Sequence, residues 1–503
     1  MQLYRLLGYS LGCLLCLLCH FPAYSQFNRP VYDTTVTRGI RYKAELGGLV
    51  STSSRTPFWL RSNQFGTVPL ESPSALITLG ATGLWGDVTQ NRKPYLKAGV
   101  EAVGNLNRSS RLILPEAYAA VRLGHAELYV GRRKEINGIT DTLLTSGSYA
   151  WSGNAVPITQ VRIGTKDYAP LKFTKGVISL NAFISHGWFT NTDSMQNVYL
   201  HAKALFVRIG KPTWKVRFYG GMNHFVQWGG YSRYLNNSLS NNGYLPSGWG
   251  AYKRAFWPSK IEEKGGSGFT AFDTANRSGN HLGSVDIALE LSLRRSNFLF
   301  YIQRPWEDMS GVVFGNLPDG TYGVRWQNRT TEPIRSFRLT NITAEFVTTL
   351  NQSGPKYPKG NDDYFHNYQY INGWTNERRI IGTPFITRWM DTAPKWYNLR
   401  GPYRNFSMIV NNRIQVIHIG AIGQLANGVK FHALLSQSWN RGRPFSPEPI
   451  PGGVKQFSGL LEVVVPSGLW GGLEWKGSLA ADAGQWLTPS VAGMLTLRKT
   501  GWF

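Results

Sequence analysis

The chain has 503 residues, with 54 Lys and Arg against 29 Asp and Glu, a formal net charge of +25. That basic excess favours polyanionic partners, and an aromatic content of 13% with 18 Trp suits aromatic girdles or stacking sites. All three cysteines, Cys13, Cys16 and Cys19, lie near the start, which excludes a disulfide framework or a cysteine metal site from the rest.

At the N-terminus, Arg5 precedes the apolar run Leu6 to Leu18, and Ala23-Tyr24-Ser25 places small residues two apart before Gln26. This is the pattern of a secretory signal peptide cleaved after Ser25, so 1–25 is expected to be an export signal and 26–503 one domain. Beyond it, no stretch reaches the apolar length of a membrane helix, so membrane residence requires a barrel. An exported chain does not meet nucleic acid in its normal role. The polyanions within reach are lipopolysaccharide, acidic surface polysaccharide and phospholipid headgroups.

Strand patterns follow at about 41–50, 74–85, 94–107, 111–122, 125–133, 159–166, 176–190, 197–209, 213–227, 283–294, 296–304, 319–326, 336–349, 405–421, 428–439, 454–465, 468–482 and 489–503. In 283–294, Val285, Ile287, Leu289, Leu291 and Leu293 alternate with Asp286, Ala288, Glu290, Ser292 and Arg294, the period of a strand with one apolar face. The last run puts Val491, Gly493, Leu495 and Leu497 on one face and Ala492, Met494, Thr496, Arg498 and Thr500 on the other. It ends on Phe503, an ending that resembles the closing strand of bacterial outer-membrane barrels, which the barrel assembly machinery reads. Connection lengths sort by parity. Pro466-Ser467-Gly468, Gly210-Lys211-Pro212, the Arg295-Ser296 corner and Leu123-Gly124-His125 are tight, whereas 134–158, 228–282, 305–318, 350–404 and 440–453 are long. Short turns at one end and long loops at the other mark an all-β transmembrane antiparallel barrel of about eighteen strands. A soluble sandwich has no reason to sort its loops in this way.

Between the first two strands, 51–73 lacks strand periodicity and reads as a short helix or packed loop, a small plug element that parity places at the outer end. It contains Pro57-Phe58-Trp59-Leu60-Arg61, Asn63-Gln64 and Gly66-Thr67-Val68-Pro69. With Glu127-Leu128-Tyr129-Val130-Gly131-Arg132-Arg133-Lys134, this run resembles the capsule assembly Wzi family, in its Bacteroidetes-type branch. The resemblance implies an eighteen-strand outer-membrane barrel with helical elements near the periplasmic mouth, engaged in attaching or organising capsular polysaccharide. That placement conflicts with the parity of 51–73.

For catalysis, the chain holds no H-E-x-x-H, G-x-S-x-G, Walker or dinucleotide motif. We therefore expect no enzyme and no cofactor, with an outer-membrane lipase as the enzymatic competitor. His224, His418 and His432 fall in strands and are expected to be packed or lumen-facing. Asp362-Asp363 could ligate calcium but lacks an EF-hand pattern. Glu101, Glu116, Glu127, Glu290, Glu345, Glu462 and Glu474 fall on polar strand faces, with Lys97, Arg122, Arg294, Lys476 and Arg498 as candidate partners. They read as ion pairs stitching the lumen, or as the lining of a charge-selective porin.

The two long loops carry the binding candidates. Trp228, Tyr231, Trp249 and Trp257 lie in the first, and Tyr368, Tyr370, Trp374, Arg378, Arg379, Trp389, Trp396 and Arg400 in the second. Aromatic planes stack on sugar C–H faces, and Arg pairs bidentately with uronate or phosphate oxygens. The expectation is a barrel that holds acidic surface polysaccharide through its outer loops, or that folds those aromatics into a plug.

Overall fold

The computed structural model describes residues 38–86, 93–259, 269–354, 362–400, 408–444, 450, 452–468 and 471–503. The expected signal segment lies outside them. Among the described residues, eighteen antiparallel strands form one closed sheet: β1 (Arg38–Ser51), β2 (Ser74–Trp85), β3 (Tyr95–Leu106), β4 (Arg111–Leu123), β5 (Ala126–Arg132), β6 (Thr159–Thr165), β7 (Ile178–Trp188), β8 (Tyr199–Ile209), β9 (Val216–Trp228), β10 (Asn280–Ser292), β11 (Ser296–Trp306), β12 (Gly320–Asn328), β13 (Phe337–Thr348), β14 (Ile414–Leu425), β15 (Lys430–Asn440), β16 (Val454–Ser467), β17 (Leu473–Gly484) and β18 (Ser490–Trp502). A two-residue stub, Ala169–Pro170, adds to β7. The barrel closes where β1 pairs with β18, from Arg41↔Trp502 to Ser51↔Ala492. Closure leaves no unpaired sheet edge, the condition for crossing a membrane with strands.

The period-two reading places the faces correctly. Leu46, Val50, Leu79, Ile287, Phe300, Ile417 and Leu495 are exposed on the outer wall, while Ala288, Ala480, Ala492 and Thr496 are buried inside. Charged residues turn inward, since charge on the lipid face costs roughly 2–4 kcal/mol per Arg or Lys at mid-depth. Glu101 pairs with Lys43 at 2.8 Å and with Lys134, Glu290 with Arg217 at 2.8 Å, Glu462 with Lys476 at 3.1 Å, and Glu474 with Arg498 at 3.8 Å. Lys476 and Arg498 are the partners expected. Arg294 is not a partner, because it sits exposed beside the β10–β11 turn. His418 is lumenal, bonded to Ser436 Oγ at 2.7 Å.

Long connections gather at one end, which is the exterior by the loop-length rule for such barrels, and several fold back into the lumen. The 133–158 loop docks on inward polar side chains of β10, β11, β13 and β14. Ile139 N donates to Asp286 at 2.7 Å, Tyr149 N to Gln303 at 3.0 Å and Thr145 Oγ1 to Glu345 at 2.8 Å, while Leu144 O meets His418 Nε2 at 2.7 Å. Glu345 thus takes hydrogen-bond donors of the loop and Tyr301 rather than a cation. The conflict over 51–73 resolves in favour of parity. It lies at the long-loop end, and its helix α1 (Phe58–Arg61) is buried inside the wall. Phe58 N donates to Asp482 at 2.8 Å and Trp59 Nε1 to Ser436 at 3.1 Å.

Two boundaries differ from the sequence reading. Pro466 and Ser467 lie within β16, opposite Glu474 and Leu473, so the turn comes after them. A proline at this strand end sits where a missing N–H costs little. The 405–421 strand begins only at Ile414, because Ile409–Asn411 pairs instead with Thr387–Arg388 inside the lumen. Asn412 between them donates to Asp363 and to Tyr364 O.

Candidate functional site

The second long loop divides between packing and exposure. Trp374 is fully buried between Phe225 and Trp151, and its Nε1 donates to Ala150 O at 2.6 Å. Tyr370 is buried as well. Arg379 is buried and donates to Val68 O at 2.8 Å. All three build the plug; Trp374 and Arg379 present no open face, while Tyr370 also borders the cleft described next. Trp396 is half-buried over Trp486, with its Nε1 on Gln485 O at 2.6 Å. Tyr368 is exposed beside His366 and Phe272. The Arg400 side chain lies outside those described.

What the loop does expose lines a cleft of about 670 Å³ at the outer end. The cleft is bounded by the β3–β4 turn, the 189–198 loop and a small hairpin in which Thr375 pairs with Ile380 and Asn376 with Arg379. Glu377 and Arg378 form the hairpin tip with φ of 46° and 63°. Two successive positive φ values make a type I′ turn, normally Asn-Gly, and each non-glycine residue there costs on the order of 1 kcal/mol. The tip is held in place by Glu377. Its Oε1 accepts from Arg132 Nη1 at 2.8 Å and Thr190 Oγ1 at 3.2 Å, and its Oε2 lies 3.6 Å from Arg111 Nη2. That clamp leaves Arg378 exposed on the cleft, without an ion pair among the described residues.

Beneath Arg388, which lines the cleft, lies a basic cluster. Asp391 pairs with Arg61 at 3.2 Å and Arg388 at 3.0 Å. Burial opposes ionisation of Asp391, but Arg388, Arg61 and Arg379 overcome it and hold the carboxyl well below its usual range. Burial, helped by the nearby Arg61, pushes the Arg379 guanidinium down to about 9. Three guanidiniums around one carboxylate leave a positive field under a low-dielectric wall, which concentrates anions at the mouth. Trp389 borders the same cleft, half-buried, edge-on to Tyr397 at 5.2 Å, with its Nε1 3.3 Å from Met408 Sδ. Thr192, Ser194 and Asn372 supply a hydroxyl and amide rim, linked by Ser194 Oγ to Asn372 Oδ1 at 2.6 Å. An aromatic edge, a hydroxyl–amide rim and exposed guanidinium suit an acidic sugar chain.

The first long loop reaches this cleft only through Tyr234, and none of its four candidates lines it. Trp228 is buried against Tyr199, and Tyr231 packs on Tyr244 at 4.7 Å. Trp249 opens helix α2 (Trp249–Phe256) and Trp257 follows it, and the helix lies on the outer wall of the barrel. Sequence reading missed Arg111, Arg132, Thr190 and Glu377, which come from distant segments and share no local pattern. Asp363 is taken by Arg443 and by His366 at 3.1 Å, and no group of three or more His, Cys, Asp or Glu among the described residues could hold a metal ion.

Residues 60–400 match the family described as capsule assembly protein Wzi. The solved structure of Wzi from Escherichia coli aligns at 14% identity and TM-score 0.55, covering 90% of this chain and 83% of that one. It is described as an outer-membrane protein involved in group 1 capsule assembly and a carbohydrate-binding β-barrel. Pseudomonas aeruginosa OccK5 (OpdH) aligns at 9% identity and TM-score 0.46, over 93% of this chain and 98% of that one. Acinetobacter baumannii OccAB2 aligns at 8% and 0.46, over 93% and 98%. No curated protein sequence matches.

Proposed function

The chain belongs to the capsule assembly protein Wzi family, and we propose that it is a non-enzymatic outer-membrane barrel that retains acidic surface polysaccharide at the cleft beside Arg378. The observation that carries this reading is the strained Glu377-Arg378 tip. Its conformation is unfavourable for both residues, yet Arg132, Arg111 and Thr190 fix it, and the outcome is one guanidinium held out over a basic cluster. A purely structural turn at this position would favour Asn-Gly.

In this account Arg378 pairs with uronate or phosphate oxygens, Trp389 offers an apolar edge to the ring, and the Thr192–Asn372 rim meets hydroxyls. The likeness to a carbohydrate-binding barrel of the same family supports the substrate class. The channel alternative needs an open lumen, and the buried docking of 133–158, 364–399 and 408–414 on the inner wall argues for a closed one. Phe503, on the strand that closes the barrel, is proposed as the signal read by the assembly machinery.

Purified barrel titrated with a uronate-bearing polysaccharide and with its carboxyl-reduced form tests the reading. Binding of the acidic polymer, weakened as salt rises, is the expected result. Equal binding of both polymers would refute the role given to Arg378.

A further inference from the structure

On the outer wall, the lipid-facing rows end abruptly between β8 and β11. Leu205, Met222, Val285 and Arg304 form one cross-strand row, in which Leu205 and Met222 are exposed. The next row toward the loops is Lys203, His224, Gly283 and Trp306. The first long loop folds down over this second row. Ala251 and Ala255 of α2 pack on Val226 and Trp228, and Lys203 Nζ donates to Phe256 O at the helix end. His224, expected to be packed or lumenal, is packed here on the outside, 2.9 Å from His281.

Two features of this shoulder are only partly satisfied from within. Arg304 is only 7% exposed; its Nη1 donates to Tyr322 OH at 2.9 Å, its guanidinium lies 5.8 Å from the Phe314 ring and interacts electrostatically with Asp319, while its Nε and Nη2 have no hydrogen-bond partner. Around it and α2, large apolar side chains face outward: Trp249 and Trp257 at 70% exposure, Val313 at 68% and Leu317 at 56%. Helix α2 itself carries two cations, Lys253 and Arg254, and no acid. Among the described residues neither Lys203 nor Arg304 forms an ion pair. Asp308, the acid nearest Arg304 in sequence after Glu307, instead accepts from Ser310 N at 2.7 Å, and Glu307 accepts from Phe365 N at 2.7 Å.

We propose that this shoulder is a docking site for a phosphate-bearing glycolipid of the outer leaflet. Its acyl chains run down the apolar rows below Leu205 and Met222, and its anionic head meets Lys203, Lys253 and Arg304. Lys203 and Arg304 are three strands apart, roughly 14 Å at strand spacing, a span that an extended disaccharide head covers. Exposed Trp beside cations at the top of a lipid-facing belt matches the aromatic and basic anchors of membrane interfaces. A soluble anion would gain nothing from the exposed tryptophans, and a lipid without negative charge would leave Arg304 Nε and Nη2 without an anionic acceptor. The site is separate from the sugar cleft and does not rest on it.

The test uses the full barrel in vesicles of phosphatidylethanolamine, alone or with lipopolysaccharide, and measures glycolipid retained after detergent extraction. Wild type should retain phosphorylated glycolipid and release its dephosphorylated form. Lys203→Gln with Arg304→Gln should lower retention on the order of tenfold. Lys253→Glu with Trp257→Ser, changed only at outward-facing positions, should do likewise and guards against misfolding of the first variant. Heat-modifiable migration checks folding in each. Unchanged retention in the folded variants would overturn the proposal. So would competition by inorganic phosphate alone, or a dimer of barrels joined through this shoulder.

Discussion

Replacing Trp374 by Ala should open the plug without dissolving the barrel. The indole is fully buried among Phe225, Trp151 and Phe189, and its Nε1 satisfies Ala150 O. Removing a buried Trp costs about 3–5 kcal/mol, and the orphaned carbonyl adds about 1–3 kcal/mol. None of this falls on the strand ladder, whose pairing from β1 to β18 does not involve the described residues of the 349–413 connection. The loss is therefore confined to docking of that connection against 133–158. In planar bilayers the wild type should be silent and the Trp374→Ala protein should pass steady current. Protease added outside should cut the variant between β13 and β14 while heat-modifiable migration persists. If the variant stays silent and protease-resistant, Trp374 does not hold the plug and the packing argument fails.

A buried carboxyl gives a pH prediction. Burial, then repulsion from Asp308, raises Asp362 from 3.8 to about 7. Below its unfolded value the group is protonated in both states, and between about 4 and 7 folding binds the extra proton, so stability falls as pH rises through that window. Asp362→Asn should stabilise the docked loop by up to roughly 4 kcal/mol at pH 8 and hardly at pH 4, as read by hydrogen exchange; an equal effect at both would contradict this. Deleting Phe503 removes its N–H bond to Ile40 O at 2.8 Å and its ring contact with Tyr42 at 4.6 Å, and should lower the yield of folded protein in the membrane; unchanged yield would dismiss the role. Mass spectrometry of the purified membrane protein should find Gln26 as its first residue, and retention of residues 1–25 would remove the export signal.

The barrel was legible because period-two alternation is a local property. Val491 and Leu495 face out, and Ala492 and Thr496 face in, as their spacing dictates. Glu345 shows the limit of that reading. Its inward face was visible, but its loop partners were not, because Thr145, 2.8 Å away in space, is 200 residues away in sequence. Aromatic composition fared worst. Trp374, Trp228 and Trp249 look alike as sequence, yet one fills the plug, one supports a helix and one faces the membrane side. A Trp buries equally well in a core, a ligand or a bilayer, so only tertiary placement separates the three. The cleft was legible only at Tyr370, Arg378 and Trp389, because the clamp that fixes the tip comes from β4, β5 and the 189–198 loop.

The most direct measurement compares polysaccharide retained on cells with folded barrel in the membrane, for wild type, Arg378→Ala and Arg378→Ala with Trp389→Ala. Arg378 is exposed and makes no ion pair among the described residues, so its loss should leave assembly unchanged. The account predicts wild-type amounts of heat-modifiable protein with retention reduced about tenfold or more, as for a lost charge-assisted contact of about 1.5–3 kcal/mol. Wild-type retention at equal protein level in both variants would contradict it.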